Sequence, residues 1–394
     1  MMYRLILFVV LYNVFCTTIA EVESNIHRIP LVRRKSPLEM LIKDPNYTRK
    51  LNIQKIHPTN ENITLFKYLD SEYYAEILVG KPGQKFSVIF DTTWGDMWIP
   101  TKLCSKTLYP ICKTKHLYDP DISSSHKSID PAPFNVDGLV GNLTCDTVVM
   151  GHLNVSNLIF AGISEIPNVP QYQMMHADGV IGLGYNVMAR TTNQTFFYKL
   201  LADKKILKPI FSVFMNRDET TIKGGIIFLG GIEPKHIKGE ITYVPVSVKE
   251  YWQIEMNQFT VHNINKTNST FCGDRGCQAI LDTSTNTIGV PSKYVVIINN
   301  LIEATKYLYN RYAVPCSKVK KLPKIIIKIG SRDFVISGRH YIQKMDNENG
   351  TVCISAFSDS GLPGELWSLG GGFLSSVYTM FDLGNNRVGI ANLR

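Results

Sequence analysis

Short apolar runs broken by glycine, proline and asparagine dominate this chain. Tyr73 to Val79 and Lys85 to Phe90 flank Gly80-Lys81-Pro82-Gly83, and strand-like runs meeting at such a turn predict a β-hairpin. Gly225 to Leu229, Ile241 to Val246, Tyr251 to Met256, Lys324 to Ile329 and Asp333 to Ile336 predict further strands. Helical patterns are few and short, such as Phe196 to Ala202 and Ser292 to Asn299, the second rich in β-branched residues. The pattern predicts an all-β architecture in two lobes joined near residue 236.

One part of the pattern occurs twice. Val88-Ile89-Phe90-Asp91-Thr92-Thr93 runs on to Trp98-Ile99-Pro100, and Ala279-Ile280-Leu281-Asp282-Thr283-Ser284 runs on to Gly289-Val290-Pro291. Each half then carries a second apolar-Gly element. Val180-Ile181-Gly182 ends 91 residues after Asp91, and Ser368-Leu369-Gly370 ends 88 residues after Asp282. Such recurrence marks a diverged duplication.

A duplicated fold brings equivalent loops together at its pseudo-twofold axis, which would place Asp91 beside Asp282. Two adjacent carboxylates cannot both ionise comfortably, so they share a proton. One can then activate water while the other protonates a peptide carbonyl. Such chemistry requires no metal or organic cofactor. The sequence has no G-x-S-x-G, H-E-x-x-H, P-loop or dinucleotide fingerprint.

The chain's ends and charges set the compartment. Arg4, the apolar run Leu5 to Cys16 and Thr18-Ile19-Ala20 have the anatomy of a secretory signal peptide over residues 1–20. No later apolar run is long enough to span a membrane. Residues 1–58 hold 9 Lys+Arg against 4 Asp+Glu, while the remainder is nearly balanced at 33 against 29. In an exported chain this front-loaded excess reads as a removable basic pro-segment, residues 21–58, over an acidic cleft, rather than as a nucleic-acid patch. The lobes are then 59–236 and 237–394.

Beyond Cys16 there are seven cysteines. Cys104/Cys112 and Cys272/Cys277 are spaced to staple short loops, and Cys316/Cys353 a longer one, with Cys145 left over. No spacing suits a zinc site. Eight N-x-S/T sequons, at Asn46, Asn62, Asn142, Asn154, Asn193, Asn265, Asn268 and Asn349, favour a glycosylated surface.

On these residues the chain resembles the pepsin-like aspartic proteases, of the cathepsin D type, over nearly its whole length. His27-Arg28-Ile29-Pro30-Leu31 is similar to the start of that family's pro-segment, and Tyr73-Tyr74-Ala75-Glu76-Ile77 to its mature N-terminal strand. Phe228-Leu229-Gly230-Gly231, Tyr251-Trp252-Gln253-Ile254, Phe381-Asp382 and Asn386-Arg387-Val388-Gly389 resemble further landmarks. The resemblance implies a bilobal, monomeric fold with catalytic Asp91 and Asp282, a peptide or protein ligand in the cleft, and disulfides at the three cysteine pairs. It places the supporting loops at Asp178 to Gly182 and Leu366 to Gly370, and the pro-segment lysine that reaches the dyad at Lys55.

The active-site pattern departs from the family's. Both Asp-Thr-Gly motifs have lost their glycine, to Thr93 and Ser284. A β-branched Thr93 is expected to restrict the loop and push the carboxylates from their shared plane. Trp94 replaces a serine whose hydroxyl bonds the aspartate, while Thr285 keeps a hydroxyl in the second motif. Counting back from Asp146-Thr147-Val148, with a three-residue deletion nearby, the flap tyrosine falls on Phe134, and Asn135-Val136-Asp137 replaces the glycine-rich tip. Phe134 has no hydroxyl for the indole of Trp98. Two readings follow: a secreted pepsin-fold protein with weak or absent proteolysis whose cleft holds a peptide-like ligand, and an active acid endopeptidase cleaving between apolar residues. Lysosomal delivery is the alternative to secretion.

Overall fold

Each half is organised around a strand that ends at one of the two aspartates. Gln84–Asp91 pairs antiparallel with Tyr73–Val79 across the Gly80–Gly83 turn, from Ala75↔Val88 to Val79↔Gln84. Its other edge runs parallel to Gly179–Gly182, with Asp91 opposite Gly182. Gly179–Gly182 in turn lies antiparallel to Met97–Pro100. The second half repeats this arrangement: Cys277–Leu281 is parallel to Trp367–Leu369, which is antiparallel to Ile288–Val290. The apolar-Gly elements end at equivalent crossings. A Cβ on Gly182 would sit 2.5 Å from the Trp94 carbonyl oxygen, and one on Gly370 2.5 Å from that of Thr287. Only glycine allows these approaches.

The structure is a computed structural model that describes residues 26–44, 73–104, 109–167, 170–173, 175–190, 194–217, 221–263, 267–347 and 350–394. It is an all-β, bilobal pepsin-like fold, and its helices are short. Phe196–Ala202 is helical as its spacing suggests. Ser292–Leu301 is helical despite its β-branched residues, because Ile298 and Asn299 are buried, with Asn299 Nδ2 donating to the Phe357 carbonyl 3.2 Å away.

A six-stranded antiparallel sheet joins the lobes in the order His27–Arg33, Lys223–Leu229, Ile210–Met215, Val377–Asp382, Arg387–Leu393 and Ile237–Lys249. Its core includes Phe211 stacked on Phe381 at 4.5 Å, with Trp252 edge-on to both. The first of these strands is followed by the helix Pro37–Lys43, capped by Ser36, whose hydroxyl accepts from the Glu39 N–H. Leu38, Leu41 and Ile42 of that helix are buried against Met345 and Ile354 in the second lobe.

Disulfides join Cys104 to Cys112, Cys272 to Cys277 and Cys316 to Cys353. Cys145 is a buried free thiol, which burial pushes above its usual pKa. Asn142, Asn154 and Asn268 are exposed. Asn46, Asn62, Asn193, Asn265, Asn349, Lys55 and residues 1–20 lie outside the described residues. Among the described residues no helix is long and apolar enough to cross a membrane.

Candidate active site

The two Asp-Thr loops meet at the lobe interface, and their threonines clasp each other. Thr92 Oγ1 donates to the Leu281 carbonyl at 2.6 Å, and Thr283 Oγ1 donates to the Phe90 carbonyl at 2.7 Å. Each hydroxyl also accepts the other loop's backbone N–H, at 3.2 Å from Thr92 and 3.1 Å from Thr283. All four partners are buried, so these bonds fix the loops without competition from water.

The turns close around Thr93 and Ser284 with the backbone donor retained. Thr93 N–H donates to Asp91 Oδ1 at 2.7 Å, and Ser284 N–H donates to Asp282 Oδ1 at 2.8 Å. Neither residue has a positive φ, so an L side chain fits these turns. The side chains fold inward: Thr93 Oγ1 and Ser284 Oγ each donate to the same Oδ1, both at 2.7 Å. Each loop thus places a hydroxyl donor where the family's glycine has no side chain.

A carboxylate oxygen has two acceptor sites, and N–H plus hydroxyl fill both on each Oδ1. Water held at that oxygen, or a proton shared through it, must displace a hydroxyl tethered two residues along the chain.

Around this centre the halves differ. Asp91 has no exposed surface and Trp94 is buried, whereas Asp282 is half-buried and lines a cavity of about 310 Å³. Ser368 Oγ lies 3.5 Å from Asp282 Oδ2; Val180 takes the equivalent place beside Asp91. Thr285 lines the same cavity as Asp282, and its hydroxyl is 3.0 Å from that of Thr287. The loop at Asp178 is pinned by its carboxylate, which accepts the N–H groups of Ser87 at 2.8 Å and His116 at 2.9 Å.

The hairpin Lys127–Val136/Leu139–Met150 supplies the flap. Phe134, fully buried, pairs with Gly141, and the tip is Asp137-Gly138, both at positive φ. This two-residue turn is the Asp-Gly type that favours hairpins. The Trp98 indole N–H is buried with no acceptor among the described residues. Its ring packs edge-on against Tyr172 at 6.0 Å. Burial, reinforced by Asp137 and Asp91, holds the Tyr172 hydroxyl protonated well above the usual phenol range. Sequence reasoning missed Asp137-Gly138 as the turn itself and Tyr172 as a neighbour; the Asp-Gly pair was the available signal for the first.

Two symmetric Asp-Thr loops, clasped across a lobe interface beneath a β-hairpin, define a cleft of the aspartic-protease class. A family model of eukaryotic aspartyl proteases matches residues 72–393, and the chain belongs to that family of pepsin-like endopeptidases. It is 34% identical over 382 residues to cathepsin D of Gallus gallus, covering 92% of this chain and 94% of that protein. Renin of Rattus norvegicus is 34% identical over 339 residues, covering 84% of this chain and 82% of renin. Pepsin II-1 of Oryctolagus cuniculus is 30% identical over 386 residues, with 94% and 96% covered.

Proposed function

We propose that this protein is an exported, monomeric, glycosylated pepsin-fold protein whose cleft holds a peptide or protein ligand and whose proteolytic turnover is weak or absent. The observation that carries the reading is the second donor on each Oδ1, from Thr93 and Ser284. The loss of the flap tyrosine hydroxyl at Phe134, next to an unsatisfied Trp98, adds to it. Residues 1–20 are the signal peptide and 21–58 the pro-segment, with Lys55 the positional match to the family's dyad-directed lysine; 59–236 and 237–394 are the lobes. The docked strand His27–Arg33 and the helix Pro37–Lys43 support the pro-segment assignment. The mature protein has no nucleic-acid partner and is extracellular, with lysosomal delivery the alternative.

The second reading, an active acid endopeptidase, draws on the intact threonine clasp and the retained N–H donors. One experiment separates the two. The full-length chain is exposed to acid and assayed on a denatured protein between about pH 3 and 6, beside an Asp91→Asn/Asp282→Asn double variant and a pepsin-family inhibitor. Cleavage no greater than the double variant's, from folded and processed protein, is the expected result. Inhibitable cleavage that the double variant lacks establishes the active enzyme.

A further inference from the structure

Two cavities meet beneath the flap tip and differ in charge: carboxylates are the charged groups of the larger, and the smaller pairs a carboxylate with a guanidinium. The larger, about 310 Å³, is lined by Asp282 and hydroxyl residues including Ser284, Thr285 and Ser368. The smaller, about 100 Å³, is lined by Met188 and Arg190 on the other side. Thr93, Tyr251 and Asp137 line both. Asp137 is exposed at the turn, and among the described residues neither it nor Arg190 belongs to an ion pair. The two charges line the smaller cavity without a direct ion pair, so each keeps room to meet a ligand group.

We infer that Asp137 is a specificity-determining residue: it selects a lysine or arginine side chain at the one ligand position that enters the larger cavity. This rests on the proposed peptide-binding cleft. A cation in that cavity lies between the flap carboxylate and Asp282, among hydroxyls that accept from ammonium or guanidinium N–H groups. The same cation one position over, in the smaller cavity, meets the guanidinium of Arg190. The selection is therefore positional and does not amount to a general attraction for basic peptides. An aspartate at this place in the hairpin serves two ends, since its short side chain tolerates positive φ while presenting a charge downward.

The test uses acid-exposed full-length protein and an immobilised positional-scanning peptide library, each register carrying Lys, Arg, Gln or Glu in an otherwise fixed apolar sequence. Lys and Arg should be enriched at a single register, and the enrichment should weaken as salt is raised. Asp137→Asn, which keeps a residue tolerant of positive φ at the turn, should lower that enrichment about fivefold, the scale of one partly exposed ion pair. Arg190→Gln should instead broaden it, with basic residues now accepted at the neighbouring register. An unchanged profile in folded Asp137→Asn overturns the inference. Peptides retained without regard to charge overturn it too, while leaving the peptide-binding reading in place. Retention of no peptide at all overturns both.

Discussion

Asp91 and Asp282 occupy loops with matching hydrogen bonds and different surroundings. Both accept an N–H and a hydroxyl on Oδ1 from the residue two positions on, at distances equal within 0.1 Å. Yet Asp91 is sealed from solvent beside a buried Trp94, while Asp282 opens into the larger cavity through a wall of hydroxyls. The duplication has kept the bonds that fix each loop and let the surface above them diverge. Access to the dyad is accordingly one-sided, through the second half.

The largest effect expected is on turnover, and it tests the proposal that the matching hydroxyls restrain the dyad. Thr93→Gly, Trp94→Ser, Phe134→Tyr and Ser284→Gly together should raise kcat/KM on a denatured protein by about a hundredfold or more. The first-half changes alone should recover more of this than Ser284→Gly alone, because the second half already keeps Thr285. No gain from the combined variant refutes the account of the impairment.

Next comes the clasp, where the halves should behave alike. Thr92→Val and Thr283→Val each leave a buried carbonyl and a buried N–H without their partner, so each should destabilise by roughly 2–4 kcal/mol in chemical denaturation. A large inequality between the two would show that the symmetry seen in the bonds does not extend to the energetics.

A third comparison concerns a histidine in each lobe. Burial, with Lys115 and Arg34 adding to it, pushes His176 down to about 4, and Tyr74 packs edge-on at 6.5 Å. His340 is likewise lowered to about 4, by burial and then by Arg339 and Arg217, while its Nδ1 accepts from the Ser337 N–H. Because these values lie below the unfolded value near 6.5, the folded state binds fewer protons between them. Stability is therefore full above about pH 6.5 and declines as the pH falls toward 4. The thermal midpoint should drop over that window, and His176→Gln or His340→Gln should each flatten part of the drop. Because Arg34 belongs to the segment that precedes Tyr73, the His176 variant also reports on how that segment is held.

The smallest effect expected is at the flap. Phe134→Tyr alone supplies a hydroxyl near the unsatisfied Trp98 N–H. It should stabilise by about 1 kcal/mol, read as a rise in thermal midpoint, with little change in turnover by itself. A fall would show that the buried pocket around Phe134 has no room for the oxygen.

Much of this was legible along the chain because its signals are local. The hairpin around Gly80–Gly83 and the paired Asp-Thr loops announce themselves through spacing and turn residues. The glycines at 182 and 370 could be matched by position, but their reason, a carbonyl 2.5 Å from any Cβ, exists only after the loops cross. The inward rotation of Thr93 and Ser284 was invisible for the same reason. A side chain's χ1 choice depends on what it meets, and the sequence suggested obstruction where the structure has an added donor. The helix Pro37–Lys43 had a readable start in Ser36-Pro37-Leu38-Glu39, yet seven residues carry too little periodicity to stand out, and its stability comes from Met345 and Ile354, some three hundred positions away.

The strand His27–Arg33 lies outermost in the lobe-joining sheet, with Lys223–Leu229 as its inner neighbour and only Val32 and Arg33 paired on the other side, to Tyr74 and Tyr73. A proteolytic cut between residues 33 and 73 would sever the chain without severing that ladder, so the strand would remain as a bound peptide until the ladder opened. Its departure would uncover a row of N–H and C=O groups along Lys223–Leu229, a fresh sheet margin able to recruit another extended segment. If the proposed pro-segment is removed, that step is an exchange of one strand for another, limited by how often the ladder opens.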